Sequence, residues 1–147
     1  MFGSFESHYF TFQSLGNAVV ARCILANLSE EENIEPVGQE LLTLVGKYEC
    51  RRLVLDLVDV EYMTSSMVGK LIRVHRQMHR DNGKLVLCHL NATVDDILRT
   101  SHLLTYFNVA PTLDEAADQF EDFQSDQDTV DLDEEDFDGN ANTSGGL

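Results

Sequence analysis

Three consecutive hydroxyl residues, Thr64, Ser65 and Ser66, stand in the stretch EYMTSSMVGKL, where an apolar run ends and a helix-like pattern begins. Ser and Thr at a helix start accept hydrogen bonds from backbone N–H groups that have no partner within the helix. The same N–H groups and the positive end of the helix dipole also tolerate a phosphate, so a serine here suits a phosphoacceptor. The cluster therefore indicates a helix cap, a phosphorylation site, or both.

Catalytic chemistry is disfavoured by the remaining polar residues. A serine hydrolase would need the G-x-S-x-G signature, which is absent. His75 follows Ser65 by ten positions on the same predicted helix, roughly 15 Å away, and cannot act as its base. No metal-ligand spacing and no glycine-rich phosphate loop occurs. We therefore expect a protein that is not an enzyme and that has no catalytic residue, metal or cofactor.

The strongly negative charge is concentrated at the C-terminal end. The formal net charge is -16, and residues 121–147 hold ten acids and no Lys or Arg, which leaves 16 acids against 10 basic residues in 1–120. A mildly acidic folded region argues against direct nucleic-acid binding. No 18-residue apolar segment or signal peptide is evident, and Cys23, Cys50 and Cys88 form no disulfide pattern. We expect a cytoplasmic protein without membrane insertion.

The elements that position the hydroxyl cluster follow from hydrophobic periodicity. HYFTFQ and AVVARCIL around SLGN predict a hairpin, and RRLVLDLVDV and KLVLCHL predict strands buried on both faces. Helical stripes occur in two segments; their residues are Val37, Leu41, Leu44 and Val45, then Met67, Leu71, Val74 and Met78. NATVDDILRTS is a third helix with a capping box at Thr93 and Asp96, and YFNV and TLDEAADQF are a short strand and a last helix.

This order predicts an α/β fold. Its mixed β-sheet would combine an N-terminal hairpin with parallel βαβ units packed against about four helices. Residues 1–120 are expected to form one domain. Residues 121–147 are expected to be a disordered acidic tail, because their composition buries too little apolar surface to offset the ordering of the chain. The apolar residues in that tail could still fold onto a partner; they are Phe123, Val130, Leu132 and Phe137.

The stretch LVLDLVDVEYMTSSMVGKLIRVHRQMHRDNGKLVLCHLNATVDDILRTSHLLTYFNV, residues 53–109, resembles the STAS domains of anti-sigma factor antagonists. Their pattern is approximately L-x-L-D-x-x-x-V-x-[FY]-[MI]-D-S-S-G-L-G, followed by a helix and then G-G-x-L-x-[LV]-[CV]. The resemblance extends loosely over residues 8–120. It implies the STAS fold and a bacterial switch protein that regulates transcription by binding an anti-sigma factor with serine-kinase activity, of the GHKL type.

By the same resemblance, the kinase phosphorylates the serine after the motif Asp, which is Ser65 here. Phosphorylation breaks the complex, and a PP2C-type phosphatase restores it. The residues expected to bind the partner surround this serine; they are Thr64, Ser66, Met67, Val68, Lys70 and Arg73.

The sequence departs from the family pattern at three positions. Thr64 replaces the motif Asp, Met67 replaces the first Gly, and His102 replaces the Gly of a later turn. The first change removes a negative charge beside the acceptor, and the second adds bulk that could reshape the docking surface. His102 is acceptable because His is enriched at positive φ. Thr64 and Ser66 remain alternative acceptors.

Two further hypotheses remain open. The altered motif also suits a constitutive STAS adaptor, as in family members that sit beneath an ABC-type lipid transporter or within a larger signalling assembly. Separately, Lys70, Arg73 and Arg80 fall near one face of the second predicted helix. That face is either simply solvated, or it meets an acidic partner surface for which the acidic tail would compete.

Overall fold

The sheet is built from short strands whose neighbours along the chain are helices. A computed structural model of the chain describes residues 7–121 and 123. The strands are β1 Phe10–Leu15, β2 Ala18–Cys23, β3 Asn27–Leu28, β4 Arg52–Asp56, β5 Tyr62–Met63, β6 Lys84–Cys88 and β7 Asn108–Ala110. The helices are α1 Glu31–Gly46, α2 Ser65–Arg80, α3 Ala92–Thr100 and α4 Leu113–Asp118.

Five strands form the main sheet in the order β1-β2-β4-β6-β7. β1 and β2 are antiparallel around a turn in which Gly16 has φ 60, whereas β2, β4, β6 and β7 are parallel. The α/β prediction of a hairpin, parallel units and about four helices is therefore confirmed. The predicted disorder of residues 121–147 concerns positions that, except for Glu121 and Phe123, lie outside the described residues.

Helices cover the sheet on both faces. On one face, alternate strand residues such as Leu53 and Leu55 join the buried side chains of α1, α2 and α3. On the other face, Val54 and Val86 pack with Ala116 of α4 and with Phe120. Because both faces are buried, the central strands are continuously apolar, as the sequence indicates. All eight residues of the two predicted helical stripes are buried.

Two local features differ from the sequence predictions. β3 and β5 pair in parallel as a separate two-stranded sheet, which the sequence did not reveal because each strand has only two residues. The capping box at Thr93 and Asp96 is wrong, because α3 begins earlier. Asn91 is the N-cap, and its side-chain oxygen accepts from the Val94 N–H at 2.8 Å.

The connection from α2 to β6 brings two backbones close together. Asn82 has φ 62, and the Gly83 N–H donates to the Met78 carbonyl at 2.6 Å. A Cβ on Gly83 would lie 3.0 Å from the carbonyl oxygen of Arg51, so glycine is the residue that fits. His102 also has positive φ, at 60, which agrees with the expectation from the sequence.

Candidate functional site

The N-terminus of α2 is fixed by the small β3–β5 sheet. β5 leads directly into the helix, and the Thr64 N–H donates to the Leu28 carbonyl at 3.1 Å. Thr64 has the extended backbone of an N-cap residue, with φ -88 and ψ 171. Its carbonyl accepts the first intrahelical bond, from Val68 at 3.0 Å. The chain therefore enters α2 at a defined position.

The predicted hydroxyl cap of α2 is wrong. The Thr64 side chain makes no cap hydrogen bond, and its Oγ1 is buried without a partner among residues 7–121 and 123. A helix start has N–H groups without intrahelical acceptors, and Thr64 satisfies none of them through its side chain. The first turn also contains no acidic residue. This helix end therefore keeps its donors and its positive dipole end available.

Ser65 and Ser66 form the exposed part of the first turn. Both residues are exposed, and neither hydroxyl has a hydrogen-bond partner within the described part of the chain. The expectation that Met67 and Val68 contact a partner does not fit this geometry, because they are only 1% and 5% exposed. Both belong to the main core, on the face of α2 opposite the serines. Met67 and Val68 therefore anchor the first turn of α2 to the main core.

Lys70 and Arg73, also expected at the partner surface, differ in their surroundings. The Lys70 Nζ lies 2.8 Å from Glu35 of α1, and its side chain is 21% exposed. Its methylenes pack over Gly38, where an added Cβ would lie 3.0 Å from the Lys70 Cδ. Arg73 is exposed and has no ion pair in the described structure. Lys70 therefore joins α1 to α2, while Arg73 remains available at the surface.

A groove of about 560 Å³ runs between α1 and α2. Its floor is apolar and its rim on the α2 side is basic. The lining residues are Leu42, Gly46, Gly69, Ile72, Arg73, Arg76, Gln77 and Arg80. It begins one turn below Ser65 and Ser66 and follows α2 towards its C-terminus. The sequence indicated the basic face but not the groove, because the groove depends on how α1 packs.

One buried polar cluster lies at the carboxyl ends of β4 and β6. The Asp56 carboxylate, 5% exposed, accepts from the Val58 N–H at 3.1 Å and lies 2.9 Å from Nδ1 of His89. With Cys88 these residues offer three donor atoms within 4.8 Å of one another. Burial, and then the nearby Asp56 carboxylate, raises the pKa of the Cys88 thiol to about 12, so this thiol is protonated at neutral pH. The hydrogen bonds of Asp56 indicate a structural role.

The chain has an N-terminal hairpin, parallel βαβ units and an exposed serine pair at the start of its second helix. This combination is typical of one family of protein domains. The model of the STAS domain family matches residues 13–116, and the chain belongs to this family. One relative is BtrV of Bordetella bronchiseptica, whose name describes it as an anti-sigma factor antagonist. It is 34% identical over 96 residues, which cover 65% of this chain and 82% of BtrV.

Solved structures agree with the fold. A Thermotoga maritima protein described as an anti-sigma factor antagonist has a TM-score of 0.67 at 19% identity, covering 76% of this chain and 94% of that protein. The phosphorylated form of SpoIIAA from Bacillus has a TM-score of 0.58 at 20% identity, covering 76% and 99%. Within the described residues, no helix combines the length and the apolar character that crossing a membrane requires.

Proposed function

We propose that this chain is a non-enzymatic anti-sigma factor antagonist that switches partners through the first turn of α2. In its unphosphorylated state it binds an anti-sigma factor of the GHKL serine-kinase type in the cytoplasm. Phosphorylation of Ser65 releases that partner, and a PP2C-type phosphatase restores binding. The observation that carries the proposal is the exposure of Ser65 and Ser66 on a helix start that is anchored by buried neighbours.

The surroundings of Ser65 suit a phosphate. The first turn of α2 offers backbone N–H donors and the positive dipole end, and it contains no acidic residue. A phosphate adds a charge of about -1.5 to -2, which this helix end tolerates. The added charge would therefore act on the partner rather than unfold the domain. A partner surface that is complementary to neutral hydroxyls would have to remove water from the phosphate on binding. The cost of that desolvation disfavours the complex with the partner.

The choice among the three hydroxyls rests on their exposure and on their positions relative to the family's motif. The Thr64 Oγ1 is buried, so a kinase cannot reach it without opening the β5–α2 junction. Ser65 and Ser66 are both exposed, and Ser65 occupies the position of the family's acceptor serine. SpoIIAA, one of the proteins with the same fold, is known in phosphorylated form. Ser65 is therefore the proposed acceptor, with Thr64, Ser66, Lys70 and Arg73 around it.

The test is a pull-down from native lysate with Ser65→Ala and Ser65→Asp baits, with retained proteins identified by mass spectrometry. We expect the Ala bait to hold a GHKL-type kinase and the Asp bait to lose it. Ser14→Ala and Ser14→Asp form the matched control pair on an exposed serine of β1, outside the proposed partner surface, and we expect both to retain the kinase. Equal retention by the two Ser65 baits would contradict the switch.

The second candidate is a constitutive STAS adaptor of an ABC-type lipid transporter or a signalling assembly. Thr64 favours it, because the hydroxyl at the motif Asp position is buried and places no charge beside the acceptor serine. The same pull-down separates the two functions. A permease or its ATPase on both Ser65 baits would support the adaptor.

A further inference from the structure

Three arginines on the C-terminal half of α2 have no acidic partner in the described structure. Arg73, Arg76 and Arg80 are all exposed, and the contact assigned to Arg80 is a hydrogen bond to Gln77. Three other cations of the described structure do have acidic partners: Arg22 pairs with Asp59, Lys70 with Glu35, and Arg99 with Asp95. Within residues 7–121 and 123, Arg73, Arg76 and Arg80 therefore form a basic surface that makes no ion pair with an acid.

The groove beside these arginines has room for apolar side chains. Leu42 and Ile72 give it an apolar floor, and Gly46 and Gly69 leave open space, since a Cβ on either glycine would meet nothing within 4 Å. An occupant with carboxylates and spaced apolar residues would match both the floor and the rim. This chemistry differs from that of the neutral serine turn at the other end of α2.

The described chain ends at Phe123, which packs with Phe120 on the α4 face of the sheet and shares a cavity with the C-terminal half of α2. The Lys84 Nζ donates to the Gln119 carbonyl at 2.8 Å, and Arg52 donates to the Phe123 carbonyl at 3.2 Å. The Phe123 ring lies 5.4 Å from the Arg52 guanidinium and 6.0 Å from the Lys84 Nζ. It also lines a cavity of about 210 Å³ together with His75 and His79 of α2. Phe123 therefore lies near the C-terminal half of α2, although none of the residues that line this cavity lines the groove.

The sequence beyond Phe123 has the matching composition. Residues 124–147 contain eight acids and no Lys or Arg, with Val130, Leu132 and Phe137 among the acids. The 16 residues of α2 span about 24 Å at 1.5 Å per residue. An extended chain covers that length in about seven residues at roughly 3.3 Å each. The segment is therefore long enough to follow α2 from Arg80 to the serine turn.

We infer that residues 124–147 dock in cis on the groove between α1 and α2, with carboxylates on Arg73, Arg76 and Arg80. The inference rests on the three arginines without an acidic partner in the described structure, on the apolar floor and on the position of Phe123, and it does not depend on the proposed function. Its consequence does: a docked segment would lie against Arg73 and one turn from Ser66, and so would compete with a partner that binds the serine turn.

Spin labelling of the full chain measures this docking. Cys23, Cys50 and Cys88 are buried, and burial raises the pKa of each thiol, so a nitroxide reagent will modify an introduced Asn140→Cys thiol in preference. We expect amides along the groove, such as those of Gly69 and Ile72, to lose most of their intensity at low salt. The intensity should return near 1 M salt, where the screening length is about 3 Å.

Matched variants identify the contact. Arg73→Gln with Arg76→Gln should restore the groove amide intensities at low salt. The control Arg22→Gln with Arg99→Gln removes the same charge from positions outside the groove and should leave the broadening unchanged. The amide spectrum of each variant reports whether it is folded. Broadening that is absent from the groove at low salt, or that persists in the Arg73 and Arg76 variant, would overturn the inference.

A mixed sample distinguishes docking in cis from docking between copies. Isotope-labelled chain without nitroxide is combined with unlabelled chain that carries it. Cis docking predicts no broadening in this sample. Broadening of the groove amides there would assign the groove to the segment of a second copy and would overturn docking in cis. The readout involves no kinase, so it is independent of whether Ser65 is a switch.

Discussion

The threonines before α2 and α4 occupy equivalent N-cap positions, but only one of the two side chains forms a capping hydrogen bond. Both are N-cap residues with extended backbone: Thr64 has φ -88 and ψ 171, and Thr112 has φ -134 and ψ 167. The Thr112 Oγ1 accepts from the Glu115 N–H at 3.2 Å, whereas the Thr64 Oγ1 is buried and has no partner in the described structure. Replacement of each by valine should therefore change stability in opposite directions.

The magnitudes follow from the two environments. Valine keeps the shape of threonine, so Thr64→Val removes a buried polar atom without leaving a cavity. We expect the free energy of unfolding to rise by about 1 kcal/mol, the low end of the penalty for an unsatisfied buried group. Thr112→Val loses a capping bond, and the free energy of unfolding should fall by about 1 kcal/mol. The difference of about 2 kcal/mol corresponds to a factor of about 30 in the unfolding equilibrium.

Urea unfolding followed by far-UV circular dichroism measures both changes, provided that the denaturant slope stays constant across the variants. Thr93→Val, at an exposed position in the first turn of α3, is the control, with an expected change within about 0.5 kcal/mol. If Thr64→Val destabilised the domain as much as Thr112→Val, the Thr64 hydroxyl would have a partner in solution. The description of an uncapped α2 start would then be wrong.

Other substitutions test separate parts of the fold by the same unfolding assay. Gly83→Ala should lower stability by about 1–3 kcal/mol, because its Cβ would meet the Arg51 carbonyl. Gly69→Ala should raise it by about 0.5–1 kcal/mol, since its Cβ meets nothing within 4 Å; a decrease would contradict this. Asp56→Asn should cost about 1–3 kcal/mol by weakening the buried acceptor. Burial, and then a neighbouring histidine, lowers the pKa of His75 below 6.5, so the unfolded chain binds more protons just below that pH. The free energy of unfolding should therefore fall as the pH drops from 6.5 through the lowered pKa of His75. In His75→Phe this fall should be smaller.

The sequence predicted most of the fold because its strongest signals are periodic. The α2 stripe from Met67 to Met78 repeats over a whole helix, and all of it is buried. Strands buried on both faces likewise appear as uninterrupted apolar runs, as in β4 and β6. β3 and β5 are too short to show a period, and their pairing joins residues that are 35 positions apart in the chain, such as Asn27 and Tyr62. Such a pair depends on tertiary packing.

The candidate site was predictable in position but not in detail. Ser65 was predicted from the hydroxyl cluster and from its position in the family motif. In the structure it lies, exposed, at the start of α2. The sequence could not show that the Thr64 hydroxyl is buried, because a threonine that caps a helix and one whose hydroxyl is buried occur in the same sequence pattern. The contact of Asp56 with His89 joins residues 33 positions apart. The sequence carried a signal for this contact, because Asp56 is the last residue of β4 and His89 directly follows β6, the parallel neighbour of β4.

The two proposals about α2 are linked by thermodynamics. If the docked segment 124–147 weakens partner binding by some factor, the bound partner must weaken docking by the same factor. A phosphate on Ser65 would repel the acids of that segment, so phosphorylation would oppose both the partner and the docked segment at the serine end. The spin-labelled chain can report both effects. Partner addition, or a Ser65→Asp substitution, should restore the intensity of the Gly69 amide. If partner addition left the groove broadening unchanged, docking and partner binding would be independent, and the acidic segment would not compete with the partner.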